Sequence, residues 1–133
     1  MYAPRFQLRS FDRLDLASRE TVIRLLLEAL ITANIAFLRS QPHTPWLYES
    51  GVVYEEEEDE RDDWNDIPET YALRVGDCED LAAWRVAELR ARRGEHAIPR
   101  VSVQTVGLRT KYHVTLRRAD GQLEDPSRLL GMR

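Results

Sequence analysis

Apolar residues fall into three regimes along this chain. Between residues 22 and 38, thirteen of seventeen positions are apolar, too many for one face, so the pattern predicts a helix buried on most of its sides. Ser18 is its expected cap and Ser40 its approximate end. With Arg24, Glu28 and Asn34 inside it, the segment reads as a core helix rather than a membrane span. Gln41, Pro42 and Pro45 stop it. From residue 42 to 76 the periodicity fades, which predicts one long irregular loop. Its aromatics, Trp46, Tyr48, Trp64 and Tyr71, have too much apolar area to stay in water, and some of them are expected to wall a groove over Cys78.

A helical period returns at Cys78. Cys78, Leu81, Ala82, Val86 and Leu89 recur at helical steps and define the expected buried stripe of a helix reaching Arg93. Asp77 stands as its N-cap, Asp80 completes a capping box, and Gly94 is the stop. Arg90, Arg92 and Arg93 suit its carbonyl end. After Pro99 the period drops to two. Val101, Val103 and Thr105 alternate with polar neighbours, and Tyr112, Val114 and Leu116 alternate with His113, Thr115 and Arg117. Asp120-Gly121 marks a hairpin into a last short strand that Pro126 ends. Ahead of all this, Phe6 and Leu8 alternate with Arg5, Gln7 and Arg9, which suggests a strand or extended arm. The order is an α+β layout: a long buried N-terminal helix, a loop, then a Cys-bearing helix on an antiparallel sheet of at least three strands. Residues 1–133 are expected to form one domain, with the arm and core helix in 1–41, the loop in 42–76, and the Cys helix and sheet in 77–133.

Charge changes the picture in one place. Residues 55–63 hold eight acids and one arginine, so the remainder of a chain of net charge −4 sums to +3. The run lacks the spaced Asp/Asn and Gly of a calcium loop and reads as a solvated charge run. Of the 19 basic residues only Lys111 is lysine. The arginines alternate with acids instead of clustering with aromatics, which argues against nucleic-acid binding. No histidine has metal-ligand spacing to another histidine or to the cysteine, so neither metal nor cofactor is expected. A single cysteine cannot bridge internally, and residues 1–10 lack a signal-peptide pattern, so a cytoplasmic setting without membrane attachment is expected.

That cysteine is the candidate nucleophile. Free backbone N–H groups and the dipole at a helix start favour thiolate, but Asp77, Glu79 and Asp80 oppose it, so a cationic partner is required. His113 and Asp125 stand on neighbouring strands further along. In this setting Trp64 with Pro68-Glu69, Gly76-Asp77-Cys78-Glu79-Asp80-Leu81-Ala82, Glu88-Leu89-Arg90 with Gly94, His113-Val114, and Gly121 with Asp125-Pro126-Ser127 resemble the transglutaminase-like cysteine protease superfamily. That superfamily is papain-like in architecture, and the likeness is to its small bacterial and phage-encoded members. It covers residues 64–132 and leaves 1–41 unmatched. The resemblance implies Cys78 as nucleophile, His113 as base and then acid, and Asp125 as the residue that orients the imidazole. It implies hydrolysis of peptide or isopeptide bonds, with protein-cross-linking transamidation or a catalytically silent module of a phage particle as alternatives. Partners would be a protein or peptide substrate and other subunits of a phage or bacterial assembly. For the oxyanion, the Cys78 N–H is one donor, and Trp64, Tyr71 and Gln104 are candidates for a second or for the substrate groove.

The triad makes a geometric demand. A two-residue hairpin loop would set Leu116 opposite Asp125 and turn His113 away; a three-residue loop, 119–121, sets Thr115 opposite Asp125, on the face of His113. Gly121 suits the left-handed last position of the longer loop. The expectation is that loop, with His113 and Asp125 on the face covered by the Cys78 helix and Tyr112, Val114 and Leu116 on the other.

Overall fold

The structure, a computed structural model, describes residues 11–56 and 64–133. The expected arm around Phe6 and Leu8, and the acidic run beyond Glu56, lie outside the described residues. Helix α1 spans Leu16–Ser40. Its cap is Asp15 rather than Ser18: the Asp15 carboxylate accepts the Ser18 N–H at 2.7 Å, so the serine is the donor of that cap. The expected burial on most sides is corrected too. Ile23, Leu27, Ile31, Asn34 and Leu38 make one buried stripe, and Leu25 on the outer side is 67% exposed. By length and composition alone α1 would pass for a membrane-crossing helix. Its stripe instead packs on helix α3 (Cys78–Arg93) and strand β3 (Ile98–Val106), so its other apolar side chains point outward because its neighbours lie on one side.

Residues 42–76 are not one irregular loop. They contain a 3₁₀ turn at Leu47–Glu49, strand β1 (Val53–Tyr54), helix α2 (Ile67–Leu73) and strand β2 (Val75–Gly76). β1 and β2 pair in parallel, Val53 opposite Val75 and Tyr54 opposite Gly76. Pieces this short show no period, and they are held by groups far away in sequence. Asn34 Oδ1 accepts the Ile67 N–H at 2.9 Å, Glu88 Oε1 accepts the Leu47 N–H at 2.9 Å, and the Leu130 carbonyl accepts the Tyr54 N–H at 2.9 Å.

Helix α3 has the predicted bounds, the Asp77–Asp80 capping box and Gly94 as a left-handed stop at φ +60°. Its burial goes far beyond the expected stripe. Every residue from Cys78 to Leu89 is buried, including Glu79, Asp80, Arg85 and Glu88. The helix touches α1, α2, β2, β3, the turn at Leu47–Glu49, strand β4 (Arg109–Arg117) and helix α4 (Pro126–Leu129). Gly76 permits the close approach at its start, since a Cβ there would stand 2.9 Å from Leu81 Cδ2 and 3.1 Å from Thr70 Cγ2.

The sheet has antiparallel order β3-β4-β5, with β5 at Leu123–Glu124. The fold is therefore α+β, a long N-terminal helix and a Cys-bearing helix on a three-stranded antiparallel sheet. Val101, Val114 and Leu116 enter one core with the buried residues of α1 and α3, whereas Ser102 opposite His113 and Arg100 opposite Thr115 are exposed. The Arg118 N–H donates to the Gln122 carbonyl at 2.8 Å, which closes a loop over 119–121 with Gly121 at φ +90°. That is the expected odd-length loop. It sets Glu124 opposite Leu116, and so Asp125 opposite Thr115 on the face of His113.

Candidate active site

Asp125 reaches His113 as the hairpin register requires, with Nε2 and Oδ2 2.9 Å apart. The carboxylate also caps α4 through the Arg128 N–H at 3.3 Å and lies 3.4 Å from the Arg128 guanidinium. These contacts fix its orientation. With Asp125 accepting from Nε2–H, the Nδ1 lone pair of His113 is left as the basic site.

The face expected for this pair is corrected. Val114 and Leu116 point into the core under α3, so His113, one residue earlier on β4, lies on the opposite, open face. A sheet with one covered side turns its apolar set toward the cover, and the apolar set here is Val101, Val114 and Leu116. Cys78 nevertheless meets this same stretch of β4. Because the Arg118 N–H points to β5, the alternating N–H groups of Leu116 and Val114 point that way too, and β5 ends opposite Leu116. The Val114 N–H is thus left at an open strand edge, near enough to Cys78 to oppose the upward shift of its thiol. The nucleophile candidate thus lies near the residue that follows His113.

The thiol is 5% exposed, and its other partner is Glu79, whose Oε2 is 3.3 Å from Sγ. Burial pushes the Cys78 thiol far above the ordinary range, and the charges of Glu79 and Asp77 add to this; the Val114 N–H pulls weakly the other way. Burial likewise pushes the Glu79 carboxyl well up, reinforced by Asp80 and Asp77. No hydrogen bond joins Cys78 to His113 among the described residues. In this arrangement the sulfur is a thiol.

The oxyanion candidates are scattered. The Cys78 N–H donates to Asp77 Oδ1 at 2.7 Å. Trp64 gives its indole N–H to the Tyr112 hydroxyl at 3.3 Å, with the rings tilted 53° at 6.5 Å. Tyr71 packs edge-on against Trp84, more than one turn further along α3, under the Arg74 guanidinium. Gln104 sits on β3 opposite Lys111, and its side chain lies outside what the structure describes. Of the other loop aromatics, Trp46 lies under Arg92 and Arg93 at the far end of α3, and Tyr48 packs under Arg85 and bonds Glu124.

Donor atoms of Asp77, Cys78 and Glu79 come within 4.8 Å of one another. Asp77 accepts the Cys78 N–H and Glu79 accepts from the thiol. Sequence reasoning missed Glu79 as a buried contact of the thiol. The one available signal was its place beside a buried-stripe cysteine. Comparison with known proteins finds no matching family model, no matching curated protein and no matching solved structure.

Proposed function

We propose that this chain is a thiol-dependent acyl-transfer enzyme of the transglutaminase-like, papain-like type, hydrolysing peptide or isopeptide bonds through Cys78, His113 and Asp125. The observation that carries the reading is the Nε2–Asp125 pairing of His113 at 2.9 Å, on the strand whose next residue, Val114, lies near Cys78. His113 Nδ1 takes the thiol proton, and Asp125 stabilises the imidazolium. The thiolate adds to the amide carbonyl carbon. Collapse of that adduct breaks the C–N bond, and His113 returns the proton to the departing amine. Water then attacks the thioester with His113 as base, which releases the acid and restores the thiol; an amine in place of water gives transamidation. Helix-start N–H groups would meet the oxyanion once the Cys78 N–H exchanges its Asp77 contact. No cofactor enters these steps. The substrate is a protein or peptide, and the setting is the cytoplasm or a phage or bacterial assembly.

A second reading has its own observation. The thiol is buried, bonded to Glu79 and not to His113, as suits a catalytically silent structural or interaction module. Iodoacetamide labelling across pH separates the two. The enzyme reading expects His113→Ala to slow alkylation at pH 6 by about tenfold or more. Equal rates in wild type and His113→Ala would leave the silent module standing.

A further inference from the structure

The acyl-transfer steps leave one buried acid beside the nucleophile without a role. Glu79 is 0% exposed, its Oε2 is 3.3 Å from Cys78 Sγ, and its Oε1 has no hydrogen-bond partner. A carboxyl buried with one oxygen unpaired is unfavourable for the fold and calls for an explanation beyond packing. The groups facing this pair are nearly all acidic or neutral. Asp77 and Asp80 stand on the same helix start, and Tyr54 on β1 lies near enough to feel the charges of both Cys78 and Glu79.

We propose that Glu79 is a positioning residue that holds Cys78 in a resting, hydrogen-bonded acid–thiol pair, from which the sulfur must be released to reach His113. This rests on the acyl-transfer reading for its purpose, though not for its chemistry. Two acids in one dry site cannot both lose their protons easily, and the carboxyl, the stronger acid, loses its own first. The negative charge then sits 3.3 Å from the sulfur and defers thiolate formation. A substrate or partner that separates the two groups would free the nucleophile, so the contact works as a restraint.

Glu79→Gln keeps the shape and removes the competing acid. Alkylation by iodoacetamide from pH 5 to 10 then gives two independent readouts: the plateau rate reports access to the sulfur, and the midpoint reports its ionisation. The expected result is a midpoint at least about one pH unit lower in Glu79→Gln, which is about tenfold faster labelling below the midpoint. A purely structural Glu79 would change the plateau alone, and a midpoint coincident with wild type overturns the proposal. Should Glu79→Gln fail to fold by circular dichroism, Glu79→Met is read the same way. His113→Ala keeps the two ideas apart. A midpoint that moves in Glu79→Gln, with His113→Ala labelling like wild type, upholds the restraint and removes the acyl-transfer reading. A midpoint unmoved in Glu79→Gln, with slowed labelling in His113→Ala, does the reverse.

Discussion

Helices α1 and α3 reverse what hydropathy alone would assign them. The apolar one buries a single stripe and leaves Leu25, Ala29 and Ala36 exposed, while the charged one is buried from Cys78 to Leu89. Position decides the difference. α3 has neighbours on all sides, so its polar groups are inside and must be paired there. Glu88 accepts from the Leu47 N–H and from Arg85, Arg85 also reaches Glu124, and Asp80 accepts from the Asn65 and Asp77 N–H groups. α1 lies outermost, and extra apolar residues on its far side stabilise the helix without adding to the core.

The sharpest break of this contrast is Arg85→Met. It leaves Glu88 and Glu124 without the cation that joins them, and losing one partner of a buried pair is expected to destabilise by about 3–5 kcal/mol. The paired change Leu25→Gln on α1 should stay within about 0.5 kcal/mol of wild type. Urea unfolding midpoints test both, and comparable losses would mean that the outer face of α1 is covered in solution. A second pair sits within α1 alone. Leu27→Ala empties a fully buried site and should destabilise by about 2–5 kcal/mol, against less than about 0.5 kcal/mol for Leu25→Ala. If the two leucines behaved alike, the single buried stripe would be the wrong description of this helix.

What could be read from the residues follows the range of the forces involved. The bounds of α3, its Asp77–Asp80 box and the Gly94 stop are local, and so is the loop over 119–121, where Gly121 carries the left-handed turn. From that loop the His113–Asp125 meeting followed by strand alternation alone. Burial did not follow, because it depends on which elements lie outermost. Periodicity also could not show α2, β1 or β2, which are placed by Asn34, Leu130 and other distant partners. For the candidate site, the His113–Asp125 pairing was legible. The side of the sheet was not, since choosing it requires knowing that only one face is covered. The Glu79 contact was hidden for a related reason: an acid next to a cysteine at a helix start ordinarily lies in water.

The smallest expected effects give the contrast its cleanest form, because the same substitution should act with opposite sign at two glutamates. Glu79 in the folded chain holds its proton well above the ordinary carboxyl range, chiefly through burial. A raised value stabilises the fold below the unfolded value of 4.5 and loses that contribution as pH rises. Near neutral pH Glu79 therefore opposes folding, and Glu79→Gln should raise the melting temperature at pH 7.5, with the gain shrinking toward pH 4. Glu95 is the converse. Hydrogen bonds from the Arg118 guanidinium hold its carboxyl down, at about 2. A lowered value stabilises above 4.5 and loses that contribution as pH falls toward 2. Glu95→Gln should thus lower the melting temperature slightly at pH 7.5, less so in high salt, and match wild type near pH 2. Melting curves at those pH values decide it. Equal signs at pH 7.5 would mean that Glu79 is either solvated or paired with a cation in solution, and the buried acid–thiol pair would have to be abandoned.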